Sequence, residues 1–134
     1  MSCADLLIKL DANKMKERPT AKLEIKRLSK LTGEPFVVTL RAIPAGRYME
    51  FMGNAFNSKG ALDATKVYRA QVMIALTGLV DPSMKDKDLQ EHYGASTPED
   101  LIETVFVGAE ITAMAEKILE ISGLSGDVVK EVKN

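Results

Sequence analysis

The segment from Arg18 to Pro44 constrains the fold more than any other part of this chain. Apolar and polar residues alternate in two short runs, residues 22–27 (KLEIKR) and residues 36–41 (FVVTLR). A period of two is typical of strands with one buried face. The stretch between the runs ends in Gly33-Glu34-Pro35, where Gly33 suits a bulge or a positive φ. Together the two runs predict an antiparallel β-hairpin.

Outside this segment, apolar residues recur every three to four positions, which predicts helices. The clearest helix start is Thr97, which precedes a proline and two acidic residues. Gly78, Gly94 and Gly123 are placed where helices would end. We predict helices over residues 2–10, 45–56, 61–77 and 97–121, and a short one opened by Ser83 and Asp86. The predicted fold class is mainly α (α+β), with about four to five helices and one N-terminal antiparallel β-hairpin.

The length of 134 residues fits a single domain with a sizeable core. Its predicted parts are an N-terminal helix and linker (1–20), the hairpin (21–43), a helical core (45–124) and a polar C-terminal tail (125–134). One cysteine, Cys3, forms no internal disulfide and fits a reducing compartment. No apolar run approaches the ~20 residues of a membrane span, and no signal peptide is evident. We therefore expect a cytoplasmic protein without membrane contact.

Charge is unevenly distributed although the formal net charge is only −1. Lysine and arginine are in excess from Lys9 to Lys30, and acidic residues are in excess from Glu99 to Glu120. The asymmetry favours steering of an acidic partner to one end of the molecule, or else both stretches are simply solvated faces. The basic stretch has no interleaved aromatic residues, which argues against nucleic acid as a partner.

Residues with catalytic chemistry are sparse. His92 and Cys3 are single and far apart, and no nucleophile turn or metal-ligand spacing is present. A structural role for His92 explains it better than catalysis. We therefore predict no catalytic residue, no cofactor and no metal site, and a protein that is not an enzyme.

The first third of the chain resembles a known family. Residues 17–20 (ERPT), 24–31 (EIKRLSKL), 33–36 (GEPF) and 39–43 (TLRAI) look like the XkdN-like phage tail assembly chaperones, and the opening residues 2–7 (SCADLL) are also similar. The resemblance implies a phage or prophage protein that binds the tape measure protein and helps to recruit tail tube subunits. It also implies work in the bacterial host cytoplasm and absence from the mature virion. The alternative is a tail completion or adaptor protein that is retained in the virion.

A chaperone of this kind would cover apolar stripes of a long helical partner through an apolar groove. The predicted protein-binding residues lie at helical spacing after Pro44: Tyr48, Phe51, Met52 and Phe56. The alternative is that these side chains belong to the core. The sequence leaves the oligomeric state open, a homo-oligomer included.

Overall fold

A computed structural model describes residues 1–133, in which eight helices and three strands form a mixed α+β fold. The helices are α1 (Cys3–Ile8), α2 (Ala12–Lys16), α3 (Lys26–Thr32), α4 (Ala45–Gly53), α5 (Ala64–Gly78), α6 (Lys87–His92), α7 (Pro98–Val105) and α8 (Gly108–Ile121). The strands are β1 (Thr20–Glu24), β2 (Val37–Arg41) and β3 (Leu79–Asp81). Residues 127–133 of the predicted polar tail carry no helix or strand, and its last residue, Asn134, lies outside the described residues.

Strand β2 is the centre of an antiparallel sheet with the order β1-β2-β3. The predicted alternation is confirmed there, because Val38 and Leu40 are fully buried while Val37 and Arg41 are exposed. The predicted antiparallel pairing of the two runs is confirmed, but the prediction of a simple hairpin is imprecise in two respects. A helix, α3, separates β1 from β2, and β3 pairs with β2 as a third strand.

The alternating pattern of residues 22–27 continues past the end of the strand. Strand β1 ends at Glu24, and Ile25 is the buried N-cap residue of α3. Helix α3 then ends at Thr32, and its C-cap residue Gly33 has a φ of +78°, one of the two conformations that the sequence predicted. Strand β3 has only three residues, too few to show a periodicity of its own.

The predicted number of helices was too small for three reasons: the linker contains α2, the predicted hairpin contains α3, and one predicted helix is divided. The N-terminal helix and linker contain two helices, α1 and α2. The predicted helix over residues 97–121 breaks at Phe106 and Val107, where the backbone is extended and α8 starts again with a new cap. The cap at Thr97 and the ends at Gly94 and Gly123 are confirmed.

The core lies where α5 and α8 pack against each other and against the sheet. Its largest fully buried side chains are Leu40, Ile74, Leu101, Ile102, Ile111, Met114 and Ile118. Gly78 was predicted to be a C′ cap but is the last residue of α5 without a positive φ. A Cβ at Gly78 would lie 2.5 Å from Cδ1 of Ile118 and 2.9 Å from the carbonyl oxygen of Arg41. Glycine therefore permits the close approach of α5 to α8 and β2.

Residues 1–19, called the N-terminal arm below, are exposed throughout. Neither α1 nor α2 has a buried residue. Helix α1 nevertheless begins with the predicted cap, in which Ser2 and Asp5 exchange hydrogen bonds between side chain and backbone. Helix α1 therefore has local hydrogen bonds but no buried side chain, whereas α5 and α8 pack into the core.

Candidate functional site

The four predicted binding residues lie in and just after α4 but do not share one surface. Phe51 is only 8% exposed and belongs to the core. Tyr48 and Met52 are half-buried and pack against the same core. Phe56 is 47% exposed. The helical spacing of residues 48, 51 and 52 thus marks the face of α4 that packs inward, with two of its members partly accessible.

Phe56 lies outside α4 because the helix ends at Gly53, three residues earlier than predicted. It forms an isolated antiparallel bridge with Leu62, and both side chains are exposed. The loop between them is closed by Asn57, whose side chain accepts hydrogen bonds from the N–H groups of Lys59 and Ala61. The structure therefore presents Phe56 and Leu62 as a small apolar pair on an ordered loop.

A cleft of about 290 Å³ lies between α4 and α5. Of the four predicted residues, only Phe51 lines it, together with Asn54 just after α4. The other side comes from α5, through Lys66, Arg69, Ala70 and Met73. Sequence reasoning missed this half of the cleft.

A second cleft, of about 460 Å³, continues along α5 towards the sheet. It shares Met73 with the first, and its floor includes Leu76 and Thr77 of the same helix. Its walls are the two arginines Arg41 and Arg47, the loop after β3, and the start of α7. We call the two clefts together the α5 groove.

Cationic side chains surround the α5 groove. Among residues 1–133, five lysines or arginines line it and one carboxylate does, that of Glu99. The cations are Lys66, Arg69, Arg41, Arg47 and Lys85. Arg69 donates a hydrogen bond of 3.0 Å to Glu99, which partly neutralises it. The guanidinium carbon of Arg47 lies 5.0 Å from the centre of the Phe51 ring, within range of a cation–π interaction.

The basic and acidic stretches seen in the sequence meet in the fold. Arg27 of α3 pairs with Glu110 of α8 at 2.9 Å and also donates to the carbonyl oxygen of Val105. Partial burial raises the pKa of Glu110, but hydrogen bonds from Arg27 and from the Val107 N–H, with attraction from the guanidinium, outweigh it. The pKa of Glu110 is therefore below its ordinary value, and that of Arg27 is raised. This ion pair between the basic and the acidic stretch joins α3 to α8.

The groups considered for catalysis are not brought together. His92 is exposed and stacks edge-on against Tyr93, with ring centres 4.8 Å apart, while Cys3 lies exposed on the N-terminal arm. Across residues 1–133 there is no group of three or more His, Cys, Asp or Glu side chains able to hold a metal ion. Over the same residues, none of the helices has both the length and the apolar character that a membrane crossing requires. What the surface does offer is an apolar-floored, cation-rimmed groove, which is suited to non-covalent contact.

A comparison with known protein families found a match over nearly the whole chain. Residues 6–133 match the family described as phage XkdN-like tail assembly chaperone protein. The chain belongs to this family. The resemblance noted in the first third therefore extends through the helical region, and the chain is a member of a phage tail assembly chaperone family.

A solved structure has a similar fold. The crystal structure of the protein yqbN is similar to this chaperone-family chain with a TM-score of 0.52 and 26% sequence identity. The similarity covers 79% of this chain and 87% of yqbN. A search of curated proteins found no match.

The α5 side of the groove had a signal in the sequence that was not used. Residues 66, 69, 70, 73, 76 and 77 follow the three-to-four spacing of one helical stripe. Two cations stand at its beginning, next to the buried positions of the same helix. Because α5 is apolar almost all round in its second half, the sequence suggested a central helix and concealed that one stripe remains accessible.

Proposed function

We propose that this chain binds the tape measure protein during assembly of a phage or prophage tail and helps to recruit tail tube subunits to it. The match to the tail assembly chaperone family over residues 6–133 carries this proposal. Binding is non-covalent, and the chain acts without enzymatic chemistry. The tape measure protein is long and helical, so it exposes apolar stripes until the tube encloses it.

The α5 groove supports this role because its floor is apolar and because it runs along a single helix, α5. Ala70, Met73 and Leu76 form a floor of flexible and small side chains, which adapts to different partner sequences. A groove of this type fits a helix laid along it. Many weak contacts along a long partner would give avidity while each remains reversible.

The residues predicted on α4 remain part of the proposal. Phe51 forms one wall of the groove, and Tyr48 and Met52 lie beside it on the same helix. We propose that Phe56, with its exposed ring, contacts the partner at the end of the groove. Phe56→Ser should weaken binding without loss of the fold. Leu31→Ser is the matched control, because Leu31 is an exposed apolar residue on α3.

Co-expression with the tape measure protein tests the proposal directly. We expect the tape measure protein to be recovered in the soluble fraction with this chain and in inclusion bodies without it. Phe56→Ser should reduce the soluble yield, and Leu31→Ser should not. Equal insolubility with and without the chain would refute the proposed function.

We also propose that the chain works in the host cytoplasm and leaves before the virion is complete. Mass spectrometry of purified particles measures this. A chaperone should be missing or far below one copy per tail. A fixed copy number in the particle would instead identify a tail completion or adaptor protein.

A further inference from the structure

We propose that the α5 groove selects an amphipathic helix whose apolar stripe is bordered by acidic residues. This inference rests on the proposed function and adds the chemical character of the segment that is bound. It derives from the charge of the groove, which differs from the charge of the protein as a whole.

The two clefts of the α5 groove lie along one stripe of α5 and share Met73. The lining residues from α5 follow one another at spacings of three and four, from Lys66 through Met73 to Thr77. At 1.5 Å per residue this stripe is roughly 17 Å long, so about three turns of a partner helix lie along it. The hydroxyl of Thr77 donates a hydrogen bond to the carbonyl oxygen of Met73, so this hydroxyl does not need a hydrogen-bond partner from the bound helix. The floor therefore accepts apolar side chains without leaving that hydroxyl unpaired.

The cationic side chains around the groove favour a partner that carries acidic side chains. Five cations against one carboxylate give the lining a formal charge of about +4, in a chain whose formal net charge is −1. Two of the cations already have a carboxylate partner, because Arg69 pairs with Glu99 at 3.0 Å and Arg47 pairs with Glu50, which lies outside the lining, at 3.3 Å. Such local concentration of one sign attracts a partner of the opposite sign and repels one of the same sign. Acidic residues beside the partner's apolar stripe would meet Lys66 in the first cleft and Arg41 and Arg47 in the second.

The Arg69–Glu99 pair already shows how a carboxylate fits at the rim. Glu99 at the start of α7 reaches Arg69 on α5 at 3.0 Å, beside the point where the two clefts meet. A glutamate or aspartate of the partner would compete with Glu99 for the same guanidinium. Removing the charge of Glu99 should therefore strengthen the binding of an acidic helix.

A second copy of this chain fits less well. The N-terminal arm carries exposed apolar residues, but its basic side chains outnumber its acidic ones. Lys9, Lys14, Lys16 and Arg18 stand against Asp5, Asp11 and Glu17. A positive arm entering a positive groove is disfavoured by like-charge repulsion.

Two designed peptides test the selectivity. Both are helical, about 18 residues or five turns long, with leucines on one stripe. One has glutamates beside the stripe and the other has lysines. Fluorescence anisotropy with the full chain should show at least about tenfold tighter binding of the glutamate peptide at about 0.05 M salt, and a smaller preference at about 0.5 M salt because of screening. Equal affinity for both peptides would overturn the proposal.

Charge variants place the binding site. Lys66→Glu combined with Arg47→Glu should reduce the preference for the glutamate peptide by at least about tenfold, whereas Glu99→Gln should increase it. Lys30→Glu is the control, because Lys30 is exposed on α3 away from the groove. Circular dichroism and the melting temperature confirm that each variant is folded. An equal loss with Lys30→Glu would mean that overall charge, and not the groove, attracts the peptide.

Two further measurements distinguish a failure of the groove proposal from a failure of the proposed function. If the Lys66→Glu/Arg47→Glu variant keeps the tape measure protein soluble as well as the unchanged chain does, the groove proposal fails while the proposed function stands. Light scattering measures the molar mass of the same variant. A change in oligomeric state that is reproduced by removing residues 2–16 would identify a second copy as the occupant and overturn the proposal.

Discussion

The packed body and the N-terminal arm are both largely helical, yet they differ in what holds their helices. Helices α5 and α8 each bury several side chains, including Ile74 and Ile118. Helices α1 and α2 bury none, although α1 carries two leucines and an isoleucine and α2 carries Met15. Both regions thus contain helix caps and apolar residues, but only in the body are the apolar side chains buried in a core.

This difference indicates where stability is located. A helix of six residues is marginal in water, because the cost of nucleation is spread over few hydrogen bonds. The body therefore sets the free energy of unfolding, and the arm contributes little to it. Four pairs of substitutions follow, from the largest expected effect to the smallest; three compare the body with the arm, and one compares two sites within the body.

The largest contrast is between Ile118 and Leu7. Ile118→Ala should lower the free energy of unfolding by about 2–5 kcal/mol, because it leaves a cavity between α8 and its neighbours. Leu7→Ala should change it by less than about 0.5 kcal/mol, because Leu7 is exposed. Urea denaturation followed by circular dichroism measures both. A comparable loss from Leu7→Ala would show that the arm packs on the body in solution.

The second pair compares two glycines within the body. Gly78→Ala should destabilise the protein by about 1–3 kcal/mol, because the new Cβ meets Ile118 and the backbone of Arg41. Gly46→Ala in α4 has no heavy atom within 4 Å of the new Cβ. It should be neutral or stabilising by up to about 1 kcal/mol, because alanine favours helix. If Gly78→Ala were also neutral, α5 and α8 would be packed less closely than described.

The third pair compares two helix caps. Thr97→Ala should cost about 1 kcal/mol, because the Thr97 hydroxyl accepts the N–H of Asp100 at the start of a packed helix. Ser2→Ala removes an equivalent bond from α1. It should leave global unfolding unchanged and only increase amide exchange at the start of the arm. A drop in melting temperature with Ser2→Ala equal to that of Thr97→Ala would contradict the comparison.

The pair with the smallest expected effect concerns the dependence of stability on pH, at Glu110 and Asp5. The pKa of Glu110 is lowered in the folded state, so its ionised form stabilises the fold above the ordinary value of 4.5, and this contribution is lost as pH falls through the lowered pKa. The stability difference between the unchanged chain and Glu110→Gln should thus be constant above that value and shrink below it. The pKa of Asp5 is also lowered, through hydrogen bonds from the backbone N–H and hydroxyl of Ser2. Asp5→Asn should nevertheless leave the pH dependence of global unfolding unaltered, since the arm unfolds separately.

Those features of the fold that depend on a local signal were predictable. The alternation of β2, the cap at Thr97 and the glycines at 33, 94 and 123 each act through neighbouring residues. The features that were missed depend on distant contacts. Strand β3 exists because β2 offers an edge, and Gly78 ends α5 where a residue forty positions away leaves no room for a side chain.

The candidate site divides in the same way. The α4 side was found from its aromatic and methionine spacing, although that spacing marks mainly the packed face. The α5 side was missed, because an accessible stripe and a buried stripe of an apolar helix look alike in sequence. Which of them stays uncovered depends on where α4 and α7 pack, and that is a property of the assembled fold.

The ion pair between Arg27 and Glu110 has a consequence for synthesis on the ribosome. Its guanidinium lies in the helix that joins the first two strands, yet its carboxylate partner comes 83 positions later. Ile43 likewise donates its N–H to the hydroxyl of Ser122, 79 positions on. A growing chain can therefore pair its three strands once β3 has been made, but the side of the sheet that packs against α8 stays exposed until that helix emerges. We therefore expect the unfinished chain itself to need protection from aggregation.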